Sequence, residues 1–233
     1  MQAVILAAGR GKRLAPLTDN QPKVMVPIAG QPLIERISRQ LVANGITQQV
    51  IVVGYMKEMV MDHMGDGSAW GASITYVDQG EPMGTGQAVR VGAEKVDGDF
   101  LMIFGDSLIE TEMMTRVLKT TTAGAVACTE VDEPSRYGIL SLDAQGCVTG
   151  LVEKPQGVPP SNLAVLAMYK FPAAIKPALQ NIQLSPRGEY EINDAVLKLV
   201  ADGVKFTAVT ITGMDIGTMA DWEHANQVVK RVA

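Results

Sequence analysis

Residues 6–28 read LAAGRGKRLAPLTDNQPKVMVPI, an apolar run that breaks into Gly9 and Gly11 and then carries Lys12, Arg13 and Lys23 among prolines. Each of these residue types suits a polyphosphate. Glycine lacks a Cβ, so backbone N–H groups can approach phosphate oxygens closely. Arginine presents a planar fork of donors and lysine a mobile point charge. Pro16, Pro22 and Pro27 stiffen the stretch, which a merely solvated loop would not require. Two standard phosphate motifs are excluded. A P-loop needs Ser or Thr after Gly-Lys, and here Arg13 follows Lys12. A dinucleotide fingerprint needs a third glycine where Leu14 stands. A glycine-rich turn alone serves chain reversal as readily as phosphate binding; the whole string is what predicts a triphosphate gripped by backbone and cations.

Composition narrows the partners. The formal net charge of −5 argues against a nucleic-acid partner, because such binders carry a basic surface. An acidic protein that binds a polyanion must gather its cations locally or recruit a metal. With 47% hydrophobic and 19% charged residues, the chain is expected to be globular throughout. Cys128 and Cys147 are too far apart for a CxxC site and read as two reduced thiols. His63 and His224 show no ligand spacing and read as non-catalytic. No apolar run approaches the roughly 20 residues that cross a bilayer, and the N-terminus lacks the charged start of a signal peptide. A cytoplasmic enzyme without a membrane partner is expected.

The elements that must position these residues follow from hydrophobic pattern. QAVILAAG reads as a strand covered on both faces. A helix starts near Pro32, carries Leu33, Ile34, Ile37 and Leu41, and stops at Gly45. QQVIVVGY, ASITYVDQ and DFLMIFGD read as further strands, the last ending at Asp106, with GTGQAVRVGAEKV and residues 111–121 as helices. This alternation implies α/β architecture with right-handed crossovers: a Rossmann-like three-layer α/β/α sandwich around a mostly parallel mixed sheet. From Gly124 the rhythm changes to a strand, a hairpin over YGILSLDAQGCVTGLVEKP, the strand NLAVLAMYKF, a helix over EINDAVLKLVADG, the strand VKFTAVTI and a closing amphipathic helix. No linker interrupts 1–233, so one domain is expected. In open parallel sheets, ligands bind at the carboxyl ends of strands where strand order reverses. If the strand ending at Asp106 neighbours the first in a 3-2-1-4 order, loop and carboxylate share a crevice, an arrangement that makes sense with Mg²⁺ between them. Asp106 taken alone reads equally as a turn or helix-cap aspartate.

The string LAAGRGKRLAPLTDNQPKVMVPI resembles the signature of sugar-1-phosphate nucleotidylyltransferases (nucleotide-sugar pyrophosphorylases), of the glucose-1-phosphate thymidylyl/uridylyltransferase kind. The resemblance continues in order through DQGEPMGTGQAV, FGDS, YGIL, VEKP, SNLAVLAMY, EYEINDAV and MDIGTMADWEHAN. It implies a nucleotide-diphospho-sugar transferase fold and in-line attack of a sugar-1-phosphate oxygen on the α-phosphorus of a nucleoside triphosphate, releasing pyrophosphate. By the same resemblance, Asp106 and Asp215 hold the catalytic Mg²⁺, Arg13 holds the departing phosphates and Lys23 sits near the reacting phosphorus. Leu6, Ala7, Ala8, Gly9, Gly11 and Thr85 would line the nucleotide, with Gln79 and the Gly84 backbone reading a pyrimidine base, since a side-chain amide has both donor and acceptor. Gly138, Glu153, Lys154 and Asn162 would take the sugar phosphate. The nucleotide part would be roughly 1–110 and the sugar-phosphate part roughly 111–233. Departures are Lys12 for a small hydroxylated residue, Ala167 for glycine, Asn193 for threonine and Met219 for proline; Ala167 bears on sugar identity. No C-terminal repeat of the kind longer members use to assemble is visible, which leaves oligomeric state open. Two other readings stand beside this one: the same chemistry on phosphocholine or an amino-sugar phosphate, and a nucleotide-sensing module without catalysis. A sensor could keep the glycine loop while losing Asp106, Asp215 or Lys154, and all are present.

Overall fold

Along the first strand, β1 (Gln2–Ala7), side chains alternate between two cores. Ala3, Ile5 and Ala7 enter one and Val4 the other, because successive strand side chains point to opposite faces. The computed structural model describes residues 1–232, the last three only as part of the closing helix. After β1 come β2 (Pro27–Ile28), β3 (Gln31–Pro32), α1 (Leu33–Ala43), β4 (Gln48–Val53), α2 (Lys57–Met64), β5 (Ser73–Asp78), α3 (Thr85–Ala93), β6 (Phe100–Phe104), β7 (Ser107–Ile109) and α4 (Thr111–Leu118). The later part runs β8 (Gly124–Glu130), β9 (Gly138–Leu142), β10 (Val148–Glu153), β11 (Leu163–Phe171), α5 (Ile175–Asn181), α6 (Ile192–Ala201), β12 (Phe206–Thr210), β13 (Gly213–Asp215) and α7 (Met219–Val232).

The main sheet has nine strands, ordered β10-β9-β11-β6-β1-β4-β5, with β8 also against β11 and β12 against β8. β1 lies parallel between β4 and β6, and β5 is parallel to β4, which meets the 3-2-1-4 condition. β11 joins β6 antiparallel and makes the sheet mixed. One face is covered by α3, α5 and α6 through Val89, Leu179 and Val196 against Val4, Phe100 and Phe171. The other is covered by α1, α2 and α4 through Ile37, Val60 and Met114 against Ile5, Ile51 and Leu101. These are the three layers. A smaller cluster of Leu14, Ile28, Leu33, Ile216 and Ala225 pins the phosphate loop to α7, and Trp222 Nε1 donates to the Pro27 carbonyl at 2.9 Å.

Some elements differ from expectation. α5 carries Pro177, which reads as a helix breaker but falls in the first turn, where its missing N–H has no intrahelical acceptor anyway. α2 buries only Val60 and Met64, too sparse a stripe to stand out. α4 stops at Leu118 rather than Thr121; the Thr120–Thr122 run is β-branched, and the Thr120 hydroxyl turns back onto the Val117 carbonyl at 2.9 Å. Asp106 lies in the turn after β6, beyond the strand itself. β7 and β13 pair over three residues each, a non-local match that no local pattern reports. Among the described residues no helix is long and apolar enough to cross a membrane.

Candidate active site

The phosphate loop leaves β1 through Ala8, whose carbonyl accepts from the Tyr55 N–H at 3.2 Å. Gly54 packs so closely on Ala8 that a Cβ would lie 2.8 Å from the Ala8 Cβ. A Cβ at Gly9, by contrast, would meet nothing within 4 Å, so packing does not require that glycine. Gly11 is left-handed, with φ 73°, and a Cβ there would strike Lys23 at 2.8 Å; the glycine lets Lys23 lie across the loop. Thr18 Oγ1 fastens the turn to the Gly11 carbonyl at 2.9 Å. The fully buried Leu14 anchors the turn Lys12–Leu14, with Lys12 and Arg13 exposed beside it. Arg13 extends to Gly217, its Nη2 3.4 Å from the position of a Cβ there. The Gly217–Thr218 segment is itself held by Asp221, whose Oδ2 accepts from both backbone N–H groups at 3.0 and 2.7 Å, a reciprocal cap at the start of α7.

Two carboxylates meet this loop. Gly105 donates to the Leu6 carbonyl at 2.9 Å, bringing Asp106 beside the end of β1, where it forms an ion pair with Lys23. Asp215 pairs with Ser107 across the β7–β13 ladder, and Ser107 Oγ donates to its Oδ1 at 2.8 Å. Ile216 N–H donates to the Asp106 carbonyl at 2.9 Å, which ties the two aspartates together. Burial, and then the charge of Asp106, raises the proton affinity of Asp215, against the opposing pull of Ser107 and Lys23. Hard carboxylate oxygens that repel each other beside a phosphate loop fit Mg²⁺, which takes one or two carboxylates and completes its shell with phosphate and water. Among the described residues no group of three or more His, Cys, Asp or Glu could hold a metal, so the donor set fits an ion shared with phosphate rather than an all-protein cage.

Gln79 follows β5 and is buried. The structure corrects the expectation that its whole amide is free: Nε2 donates to Gln87 Oε1 at 2.8 Å and reaches the Gly84 carbonyl at 3.5 Å. Only its carbonyl oxygen is left for a ligand among the described residues. Gln87, which pattern reading passed over, ties the segment together by donating to the Gln79 and Glu81 carbonyls at 3.0 Å. Thr85 Oγ1 accepts from Ile192 N–H at 3.4 Å.

A second cluster gathers around Glu153. Asn193 Nδ2 donates to its Oε2 at 2.8 Å, and Asn193 Oδ1 accepts from the buried Tyr169 hydroxyl at 3.1 Å. Arg187 reaches Glu153 Oε1 at 3.3 Å and Lys154 lies 3.6 Å from the same oxygen. A Cβ at Gly138 would sit 3.1 Å from both Asn193 Nδ2 and Glu153 Oε2, so a side chain there would press that pair back by a few tenths of an ångström. Lys154 has φ 45°, a left-handed conformation uncommon for a side chain of this size. Ala167 also stands at φ 65°, where the pairing of β11 with β8 shifts register between Val165 and Tyr169. Glycine suits that backbone, and alanine there is strained. Asn162 precedes β11, and its carbonyl accepts from Val131 N–H at 3.0 Å; no hydrogen bond joins its side chain to Glu153 among the described residues. Arg187 was missed by pattern reading; its one signal is a cation before the turn glycine Gly188 in PRGEYEIN.

Residues 2–231 match the family described as nucleotidyl transferase. Among curated proteins, the chain is 39% identical to the UTP–glucose-1-phosphate uridylyltransferase AglF of Haloferax volcanii, covering 97% of this chain and 96% of that one. It is 38% identical to the low-salt glycan biosynthesis nucleotidyltransferase Agl11 of the same organism, covering 98% of this chain but 66% of Agl11. A glucose-1-phosphate thymidylyltransferase of Streptomyces antibioticus is 35% identical, again over 98% of this chain and 66% of its own length. Among solved structures, a UDP-glucose pyrophosphorylase complexed with UDP-glucose superposes with TM-score 0.85 at 26% identity, covering 100% of this chain and 99% of that one. A Bacillus anthracis structure, named provisionally as a glucose-1-phosphate thymidylyltransferase, gives TM-score 0.88 at 27% identity over 100% and 96% of the two chains.

Proposed function

The chain belongs to the nucleotidyl transferase family, and on that premise we propose that it joins a sugar 1-phosphate to UTP or dTTP, giving a nucleotide-sugar and pyrophosphate. The observation that carries this reading is the chain of contacts from Gly11 to Lys23, from Lys23 to Asp106 and from Asp106 through Ile216 and Ser107 to Asp215, with a second cationic group, Lys154 and Arg187, around Glu153. Two mutually repelling phosphates need two separate cationic holds.

In this reaction an oxygen of the sugar phosphate bonds to the α-phosphorus while the bond from that phosphorus to the bridging oxygen breaks, and the electron pair leaves with pyrophosphate. The attacking oxygen is already anionic, so the protein supplies no general base. Its work is to align the two anions and to stabilise the charge of the transition state. Arg13 holds the departing β- and γ-phosphates from the Gly217 side, and Lys23 lies across the loop toward the α-phosphorus. Mg²⁺ on Asp106 and Asp215 would neutralise phosphate charge. The carbonyl oxygen of Gln79 accepts from the imide N–H of uracil or thymine, and the Gly84 N–H donates to a base carbonyl. Lys154 binds the incoming phosphate, with Arg187 as a second cation, and Glu153 accepts from sugar hydroxyls. These substrates are cytoplasmic metabolites, and the enzyme is proposed to act there.

Pyrophosphate release over a matrix of UTP, dTTP, CTP, GTP and ATP against glucose 1-phosphate, an amino-sugar phosphate and phosphocholine tests the reading. Turnover is expected with a pyrimidine nucleotide and a sugar phosphate. A purine preference would overturn the base assignment, and no release from any pair would return the protein to the sensor class.

A further inference from the structure

The segment that carries Gly84 and the hairpin that carries Arg187 are sewn together at Tyr190. Tyr190 N–H donates to the Met83 carbonyl, and Gly86 N–H donates to the Tyr190 carbonyl, each at 2.7 Å. Neither neighbouring glycine has room for a side chain. A Cβ at Gly84 would lie 2.7 Å from the Tyr190 carbonyl oxygen, and one at Gly86 would lie 2.8 Å from it. The Tyr190 ring sits under the Arg90 guanidinium at 5.3 Å, so the contact is gripped from α3 as well. On the far side, Ser185 N–H donates to the Glu189 carbonyl at 2.9 Å and closes the hairpin. Arg187, at its tip, spans Glu153 and Glu191 at 3.3 and 3.1 Å.

We infer that Tyr190 is a positioning residue that couples the two substrate subsites, so that a nucleotide seated against Gly84 holds Arg187 in place for the sugar phosphate. The inference rests on the functional reading above and adds a physical path to it. A nucleotide that orders residues 83–86 orders Tyr190 through paired backbone hydrogen bonds, and the Tyr190 ring, held under Arg90, keeps those bonds in register so that the hairpin moves with them. Ordering bought once by the first ligand need not be supplied again by the second, which makes binding of the two mutually favourable. Tyr190 touches neither substrate in this scheme; it acts through the hairpin.

The test uses α,β-methylene-UTP, whose α–β bridge cannot be cleaved, with glucose 1-phosphate and Mg²⁺, so that the ternary complex forms without reacting. Calorimetry gives the glucose 1-phosphate affinity with and without the nucleotide analogue. The intact protein is expected to bind glucose 1-phosphate about tenfold more tightly when the analogue is present. In Tyr190→Ala that ratio is expected to fall below about twofold, with glucose 1-phosphate binding in the absence of nucleotide unchanged, and Tyr190→Phe, which keeps the ring, is expected to retain it. Arg90→Ala loosens the ring without altering the hairpin and, should Tyr190→Ala fail to fold, is expected to lower the ratio on its own. An undiminished ratio in the folded variants, or binding of both probes to the intact protein without any ratio, overturns the inference and leaves the functional reading standing. Failure of the intact protein to bind either probe overturns that reading and the inference together.

Discussion

The two ends of the crevice are made in different ways. At the phosphate end, glycines and cations come from one stretch, residues 9–23, and much of the expected grip is backbone. Gly9 is open and Arg13 is exposed, so these two stand apart, whereas Lys23 is already paired with Asp106. At the sugar end, Gly138, Glu153, Lys154, Arg187 and Asn193 come from β9, β10, the loops beyond β10 and α5, and α6, and they already bind one another. A site made from one loop should respond to changes one residue at a time. A site made from a side-chain network should respond non-additively, because removing one member leaves others unpaired.

The largest expected effect tests the phosphate end. Asp106→Asn and Asp215→Asn should each lower kcat by about a thousandfold and flatten its Mg²⁺ dependence in a pyrophosphate-release assay; unchanged turnover would remove both from the metal site. Arg13→Ala should cost about 2–4 kcal/mol of transition-state stabilisation, read from kcat/KM, with no change in sugar-phosphate KM. The sugar end should behave otherwise. Lys154→Ala should raise the sugar-phosphate KM about tenfold with nucleotide KM held, and the Lys154→Ala, Arg187→Ala double variant should depart from the product of the singles by about 0.5–3 kcal/mol. Strict additivity would erase the contrast drawn between the two ends.

A pH effect belongs to the phosphate end. Asp215 has its proton affinity raised by burial and by Asp106, so its contribution to stability is intact below the ordinary carboxylate range and is lost as pH rises through its raised folded-state value. Without divalent cation, the thermal midpoint should therefore fall from about pH 4 upward relative to Asp215→Asn. Saturating Mg²⁺ should restore it by binding the folded state. Equal pH profiles for the two proteins would contradict the assignment. The smallest effect is at the sugar end: Ala167→Gly relieves a left-handed alanine and should raise stability by about 0.5–1 kcal/mol in urea unfolding.

Much of the fold was legible. The buried strands β1, β4 and β6 are apolar runs, and their alternation with helices implies parallel pairing with right-handed crossovers; the 3-2-1-4 order itself is set by the pairing of β1 with β4 and β6. The β9–β10 hairpin is local and was read from its turn. The phosphate loop was legible because its parts adjoin in the chain. What escaped reading depends on non-local register or on side-chain partners. The Gln79 amide does not offer both its groups to a ligand, because Gln87, in the first turn of the following helix, takes the donor. Arg187 looked like an ordinary loop cation until the hairpin brought it to Glu153.

The amino-acid order by itself determined which strands are buried, where α1, α3, α4 and α6 fall, and that one loop concentrates cations, because periodicity and backbone freedom are properties of neighbouring residues. Only the tertiary structure decided that Asp215 adjoins Asp106, that Glu153 is shared by Asn193, Lys154 and Arg187, and that Tyr190 joins the segment carrying Gly84 to the hairpin carrying Arg187. Those contacts cross long stretches of chain, and their geometry is set by how the layers pack rather than by any spacing along it.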